Sequence, residues 1–249
     1  MGSKDIVLFT DLHYGINLEN RCGKIGVNTF GGVRNEIILL RNKILDINPS
    51  FSINLGDVVT GDSKKLDILN YKDFLNIFKN VDLKHLIGNN DFYFFNFNEI
   101  LDLSNTSSRY FFEKDGFLHI FINCLKRNGK YYFDDDLFDW LFDLIFREGV
   151  NSIIYSHFPV SGDLDNLSYY HLNRVDACFV SESLKFRDFL VGSNVKCFIS
   201  GHTHFYFEKV ICGVKYITVP SFSEEKNGLP SCEFGILSLP DLNFRVERL

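Results

Sequence analysis

Short apolar runs alternate with amphipathic stretches along most of the chain. Between Ile6–Phe9 and Phe51–Leu55, apolar residues recur at helical spacing from Val33 to Ile47, and Pro49 ends this predicted helix. Further helices are predicted at Asp67–Lys79 and Asp134–Phe146, each beginning with carboxylates that suit a helix N-terminus. The runs that are typical of buried, parallel strands are Ile6–Phe9, Phe51–Leu55, His85–Ile87, Ser152–Tyr155 and Lys196–Ile199.

Several segments interrupt this alternation of strand and helix. Phe117–Asn123 is predicted as an extra strand, and Lys209–Ser221, Cys232–Leu239 and Leu242–Glu247 as a late antiparallel set, which we expect to form a second sheet packed on the first. The sequence contains no internal repeat, low-complexity tract or Pro- or Gly-rich linker. The chain of 249 residues can bury a substantial core, so we predict a single α/β domain over residues 1–249.

Charge and composition narrow the choice of partner and compartment. The formal net charge of −6, with acidic residues spread along the chain, leaves no basic stripe for a phosphate backbone, which disfavours nucleic acid as a partner. The sequence has no long apolar run and no export signal, so we expect no membrane association. Six cysteines without a CxxC pair favour buried free thiols, and we expect a reducing, cytoplasmic location.

Each of the five predicted parallel strands is followed by at least one residue that can bind a metal ion. Carboxyl ends of strands meet at one edge of an open α/β sheet, so we expect these side chains to converge. One motif alone is weak, because a lone histidine is more often a hydrogen-bonded imidazole and a Gly-Asp pair is often only a turn. Five such motifs in succession favour a site. The candidate ligands are Asp11, His13, Asp57, Asn89, His157, His202 and His204.

The ligand types indicate the metal and the reaction. Two carboxylates, one amide oxygen and four imidazoles, without a thiolate, favour divalent Mn, Fe, Co or Zn over Ca. Seven ligands are too many for one ion, but if Asp57 bridges, two ions receive four ligands each. Two ions about 3.5–4 Å apart can bind both the attacking and the leaving oxygen of an in-line displacement and activate a water as hydroxide near neutral pH. We therefore expect phosphoester hydrolysis.

These ordered motifs resemble those of the calcineurin-like metallophosphoesterase family, whose pattern is D-x-H, G-D, G-N-H-D/E, H and G-H-x-H. The resemblance runs from Asp11 to His204 and implies a four-layer α/β/β/α sandwich with mixed sheets and a dinuclear metal centre. It also implies the division of the ligands. One metal would be bound by Asp11, His13, Asp57 and His204, and the other by Asp57, Asn89, His157 and His202.

Within that family the chain is most similar to small phosphodiesterases of the cyclic-nucleotide type, in its length and its Gly201–His204 ending. The expected substrate is a small phosphodiester or a pyrophosphate of the nucleotide type. A phosphomonoesterase, a nuclease and a non-catalytic metal-binding scaffold for interactions remain open alternatives. The sequence gives no indication of oligomeric state.

Asn90 departs from the family pattern, because it replaces the histidine that in relatives contacts the substrate phosphate and helps to protonate the leaving oxygen. An amide can donate a hydrogen bond but cannot deliver a proton. Three hypotheses follow. In the first, the leaving group has a low pKa and Asn90 only orients the substrate. In the second, another residue supplies the proton, and the candidate is His171 in the insert Ser161–Ser183. In the third, catalysis has been lost, but the retention of all seven ligands argues against this. His171 could equally be a solvated loop residue.

Two further segments are candidates for substrate contact. Arg21–Asn35 is long for a strand-to-helix connection and contains glycines, so Arg21, Lys24 or Arg34 could contact a second phosphate or a sugar, although a plain surface loop is an equal interpretation. Phe92–Phe97 could stack on a base, but packing between layers is the favoured interpretation.

Overall fold

Two mixed β-sheets packed face to face form the centre of the protein. The computed structural model describes residues 4–15, 32–127, 130–146, 149–161, 178–226 and 229–249. In chain order, the strands are β1 (Asp5–Phe9), β2 (Phe51–Asn54), β3 (Leu83–His85), β4 (Arg109–Lys114), β5 (Phe117–Ile122), β6 (Leu125–Arg127), β7 (Lys130–Tyr132), β8 (Asn151–Tyr155), β9 (Val195–Ser200), β10 (Phe207–Ile211), β11 (Val214–Thr218), β12 (Glu225–Lys226), β13 (Leu229–Pro230), β14 (Glu233–Ser238) and β15 (Asn243–Arg248). The helices are α1 (Arg34–Ile47), α2 (Lys64–Ile77), α3 (Phe97–Ser104), α4 (Leu137–Ile145) and α5 (Ser183–Leu190).

Each sheet combines a parallel centre with antiparallel additions. The first has the strand order β15-β14-β1-β2-β3, in which β1, β2 and β3 are parallel and β14 and β15 continue antiparallel. The second has the order β10-β11-β9-β8-β5-β4, with antiparallel strands β10 and β4 at its two edges. Short ribbons pair β6 with β7 and β12 with β13.

Each predicted run overlaps a strand, with β3 beginning two residues before the predicted His85–Ile87, but two assignments to a sheet were wrong. The predicted parallel strands β8 and β9 lie in the second sheet and not with β1, β2 and β3. The late antiparallel set does not lie in one second sheet: β10 and β11 extend the second sheet, whereas β14 and β15 extend the first. The physical reason is that β11 and β14 are both buried along most of their length, so an apolar run specifies a strand without specifying the sheet that it joins.

Alternate side chains along each strand enter different layers. Ile6 and Leu8 of β1 join the apolar cluster between the sheets, whereas Val7 and Phe9 join the cluster that includes residues of α1 and α2. On the second sheet, Ile154 packs in a cluster with residues of α4 and α5. This alternation follows from the two-residue period of a strand. The α/β/β/α sandwich with mixed sheets that the resemblance implied is therefore confirmed.

Helix starts lie a few residues from their predicted positions. α2 begins at Lys64, before the predicted Asp67, because Ser63 is the N-cap and its side chain accepts from the backbone N–H of Leu66. α4 begins at Leu137, after the carboxylates that were predicted to open it. The three predicted helices are thus present with shifted boundaries, whereas α3 and α5 were not predicted.

In the described part of the chain, no helix is both long and apolar enough to span a bilayer. Five cysteines in that part carry free thiols, at positions 124, 178, 197, 212 and 232. Cys22 lies outside the described residues.

Candidate metal centre

The carboxyl ends of the parallel strands converge on one buried cluster of polar side chains. Asp11 and His13 follow β1, Asp57 follows β2, and Asn89 comes after β3. From the second sheet, His157 follows β8, and His202 and His204 follow β9. The two carboxylates and the four histidines are each at least nine-tenths buried. Seven residues that lie far apart in the sequence are thus brought to one edge shared by the two sheets.

A first group consists of Asp11, His13 and His204, whose ligand atoms all lie within 4.8 Å of one another. Nε2 of His204 is 3.4 Å from Oδ1 of Asp11 and 3.4 Å from Nε2 of His13. Oδ2 of Asp11 accepts from the Thr10 hydroxyl and from the backbone N–H of His202. Its buried Oδ1 has no hydrogen-bond partner among the described residues. A buried carboxylate oxygen of this kind, beside two imidazole nitrogens, fits a divalent cation.

A second group consists of Asp57, His157 and His202, with ligand atoms again within 4.8 Å of one another. Nδ1 of His157 donates to the backbone carbonyl of Leu55 over 2.9 Å, which leaves Nε2 as the free ligand nitrogen. That Nε2 lies 3.1 Å from Oδ1 of Asn89. The amide oxygen predicted as a ligand is therefore adjacent to the second group.

Asp57 lies between the two groups. Its Oδ2 is 3.9 Å from Nε2 of His13, and its Oδ1 is 3.6 Å from Nε2 of His157. One carboxylate thus presents an oxygen to each group. A carboxylate placed in this way could bridge two ions.

The charges in the cluster are strongly coupled in the metal-free protein. Burial would raise the pKa of Asp11, but the nearby histidines, His204 foremost, outweigh it and hold that pKa well below its usual range. Burial, with the Asp11 carboxylate adding to it, raises the pKa of Asp57 to about 8. Burial, together with His204, lowers the pKa of His13 to about 3, and burial lowers the pKa of His157. Neutral imidazoles are the form that binds metals.

The ligand loops have an unusual backbone. Residues 11, 13, 57, 202 and 204 have φ values between 44° and 71°, a region that residues other than glycine rarely adopt. Backbone hydrogen bonds between the first two loops hold this conformation, from Asp11 N to Gly56 O and from His13 N to Asp57 O. Gly56 itself has φ +112°, and a Cβ there would lie 2.6 Å from the backbone nitrogen of Gly88. Only glycine fits at this close approach of two ligand loops.

Asp91, the residue after Asn90, is a structural carboxylate to which sequence reasoning assigned no role. Its Oδ2 accepts from the backbone N–H groups of Asp57 and Gly88, and its Oδ1 from those of Val58 and Val59. Asp91 is fully buried. It ties the loop after β3 to the loop after β2 and so fixes the position of Asp57.

Asn90 contacts the same carboxylate from the other side. Its backbone N–H donates to Oδ1 of Asp57 over 2.7 Å, and its side-chain Nδ2 donates to Oδ2 over 2.6 Å. The residue that replaces the family's histidine therefore supports Asp57. Its contact with a substrate stays a prediction.

Of the other candidates for substrate contact, some have partners elsewhere in the structure and some lie outside the described residues. Arg34 is half exposed and donates to Asp73 over 2.7 and 3.1 Å, so its guanidinium is engaged outside both ligand groups. Phe92 and Phe95 are buried in the cluster under α1 and α2, as the packing interpretation predicted, whereas Tyr93 is 63% exposed. The candidates outside the described residues are Arg21, Lys24 and His171.

Sequence reasoning missed Glu224, whose Oε2 lies 2.6 Å from Nδ1 of His204. Burial lowers the pKa of His204, but Asp11 and Glu224 outweigh it and raise that pKa to about 10. The sequence position of Glu224 could have indicated this contact. Glu224 lies in the segment after β11, and β11 is parallel to β9, the strand that precedes His204.

Comparisons with known proteins identify the family and the fold. The model of the calcineurin-like phosphoesterase family matches residues 4–206. A comparison with curated protein sequences finds no match. Among solved structures, a dimetal phosphatase from Danio rerio is 14% identical, with a TM-score of 0.76 and 99% of each chain covered.

Two other solved structures share the fold. The protein TT1561 of Thermus thermophilus is 9% identical, with a TM-score of 0.63 and 99% of each chain covered. An archaeal phosphodiesterase is 15% identical, with a TM-score of 0.51, 98% of this chain covered and 99% of its own. The family, taken with the two ligand groups, suggests a dinuclear divalent metal site. Because the family model matches residues 4–206, the chain belongs to the calcineurin-like phosphoesterase family.

Proposed function

We propose that the protein hydrolyses a small-molecule phosphodiester or pyrophosphate of the nucleotide type with the help of two divalent transition metal ions, Mn, Fe or Zn. The observation that carries this proposal is the Asp57 carboxylate, which presents one oxygen to His13 of the first ligand group and the other to His157 of the second. A net charge of −6 favours a small substrate over a polynucleotide.

Two ions in these groups would supply Lewis acidity and lower the pKa of a water near the phosphorus. The donor set of imidazoles and carboxylates fits such ions, and the unpartnered Oδ1 of Asp11 supports the fit. The protein's own part is to hold these groups in place. Asp91 fixes the backbone of Asp57, Asn90 donates to its carboxylate, and the Leu55 carbonyl fixes the ring of His157.

The nature of the leaving group follows from Asn90. Its backbone N–H and its side-chain NH₂ group both donate to Asp57, and an amide cannot act as a general acid at neutral pH. A leaving oxygen of low pKa, such as a phosphate in a pyrophosphate or an activated aryl ester, departs without protonation. Two solved structures with this fold are named as a phosphatase and a phosphodiesterase, and both names are consistent with phosphoester chemistry.

A panel of substrates in the presence of Mn²⁺ tests this proposal. We expect the wild type to hydrolyse a nitrophenyl diester and a dinucleoside pyrophosphate, with a steep dependence of kcat/KM on leaving-group pKa and loss of activity on chelation. In Asn90→His the added imidazole can protonate the leaving oxygen, so activity towards alkyl esters should rise by about 10²-fold. Asn76→His, on the exposed side of α2, is the matched control and should behave as the wild type.

Two results would contradict the proposal. A wild type that prefers alkyl phosphomonoesters would exclude the low-pKa leaving group. A protein that binds two equivalents of metal yet hydrolyses none of the panel would favour the non-catalytic scaffold instead.

A further inference from the structure

His204 differs from His157 in the partner of its second ring nitrogen. Its Nδ1 donates to the Glu224 carboxylate over 2.6 Å, while its Nε2 lies 3.4 Å from Oδ1 of Asp11. In His157 the corresponding Nδ1 donates to a neutral backbone carbonyl, that of Leu55. These two histidines, one from each ligand group, therefore have different second partners, one charged and one neutral.

Glu224 is itself held in place. Its side chain is 12% exposed, its backbone N–H donates to the Ser221 hydroxyl, and its carbonyl accepts from the backbone N–H of Ser231. A carboxylate anchored in this way can fix the orientation of an imidazole ring. It also fixes the tautomer, because Nδ1 must carry the proton and Nε2 must be free to bind a metal.

The same segment also holds the backbone of the first ligand group. The hydroxyls of Ser221 and Ser223 both donate to the carbonyl oxygen of Asp11, over 3.1 and 2.8 Å. The backbone N–H of Ser221 donates to the carbonyl of His204. Residues 221–224 thus contact Asp11 and His204, two members of one group. They lie beyond residue 206, where the match to the family ends.

We propose that Glu224 is a positioning residue for the first metal: it holds His204 with Nε2 directed to the ion and, through its charge, makes the imidazole a stronger ligand. The inference rests on the dinuclear centre of the proposed function. Loss of a carboxylate behind a metal-binding histidine typically lowers metal affinity by about 10–100-fold. Because His204 belongs to one group, the loss should fall on one ion of the two.

The test is a titration of the metal-free protein with Zn²⁺ against a chromophoric chelator. The wild type should bind two ions, and Glu224→Ala should bind one of them 10–100-fold more weakly with the other unchanged. Glu224→Gln keeps an oxygen that can accept from Nδ1, so its loss should be smaller. Glu208→Ala, on the exposed strand β10, is the control and should leave both affinities unchanged.

Two further measurements separate positioning from a general effect on folding. Thermal unfolding of the metal-free variants should give similar Tm values for Glu224→Gln and the wild type. Long-range ¹H–¹⁵N spectra of the Zn²⁺-loaded wild type should show the His204 proton on Nδ1.

The outcomes distinguish the inference from the function on which it rests. If the wild type binds fewer than two ions, the dinuclear centre is contradicted. The role of Glu224 is overturned, while the dinuclear centre stands, if the wild type binds two ions and Glu224→Ala binds both ions as tightly as the wild type does. The same holds if Glu224→Ala loses affinity for both ions equally. A His204 proton on Nε2 in the loaded protein would also overturn it.

Discussion

Asp57 uses both of its carboxylate oxygens, one towards each ligand group, and also accepts two hydrogen bonds from Asn90. The substitution Asp57→Asn replaces one oxygen by an amide nitrogen, which cannot bind a metal ion. We expect it to lower kcat by about 10⁴-fold, as for removal of one member of a catalytic unit. Bound metal, measured by elemental analysis, should fall below two equivalents.

Asp102→Asn, on the exposed side of α3, is the matched control for Asp57→Asn and should change neither quantity. An Asp57→Asn protein that keeps two equivalents of metal and most of its activity would exclude a bridging role for this carboxylate.

Sequence reasoning placed the seven candidate ligands together because each directly follows a strand of a recognisable pattern. It could not place their supporting residues. Glu224 has no motif around it, and its hydrogen bond to His204 depends on where the segment after β11 lies in space. Asn90 was predicted to contact substrate, but the backbone of its loop brings the amide to Asp57. Hydrogen-bond partners of this kind are set by tertiary structure.

At the scale of elements, the loops after β2 and β3 are joined through one buried side chain. In Asp91→Asn, the single remaining oxygen can serve one pair of the four backbone donors, while the new NH₂ group faces the other pair. Buried donors left without an acceptor should lower the free energy of unfolding by about 3 kcal/mol. Urea denaturation of the metal-free protein measures this change.

For Asp91→Asn, the conservative comparison is Asp143→Asn on the exposed face of α4, which should alter the free energy of unfolding by less than about 0.5 kcal/mol. If Asp91→Asn were as stable as this control, the four hydrogen bonds would contribute nothing measurable to the position of the loops.

The elements themselves were largely predictable, but their arrangement was not. Apolar runs and helical spacing predicted β1, β2, β8, β9 and α1 within a few residues. These patterns report burial, and strands in both sheets are buried on two faces, so the pattern does not distinguish β11 in one sheet from β14 in the other. The four-layer arrangement came from the family resemblance and not from periodicity.

For the whole molecule, the buried ligand cluster links folding to metal. An ion that binds only the folded protein stabilises it by about 2.7 kcal/mol per site at 100 times its Kd. For a chain of this size, we expect Mn²⁺ to raise the Tm by about 5–10 °C per occupied site. Scanning calorimetry with Mn²⁺ and with a chelator measures the shift.

Ca²⁺ is the matched control for the calorimetric experiment, because it prefers sites with more oxygen ligands than this cluster offers and should shift the Tm little. An identical Tm in Mn²⁺ and in chelator would show that the folded protein binds no metal at these residues.

The pairing of β1 with β14 has a consequence for how the protein is made. β1 lies between β2 and β14, and its Asp5 is aligned with Ser238, a separation of 233 residues along the chain. While the polypeptide is being synthesised, the strand that precedes Asp11 and His13 lacks one of its two neighbours until β14 has been made. Such long-range pairing is slow and exposes apolar edges in the meantime. We therefore expect the metal centre to bind its ions only after β14 has paired with β1, and we expect chaperones that cover the exposed β1 edge to matter most before that pairing.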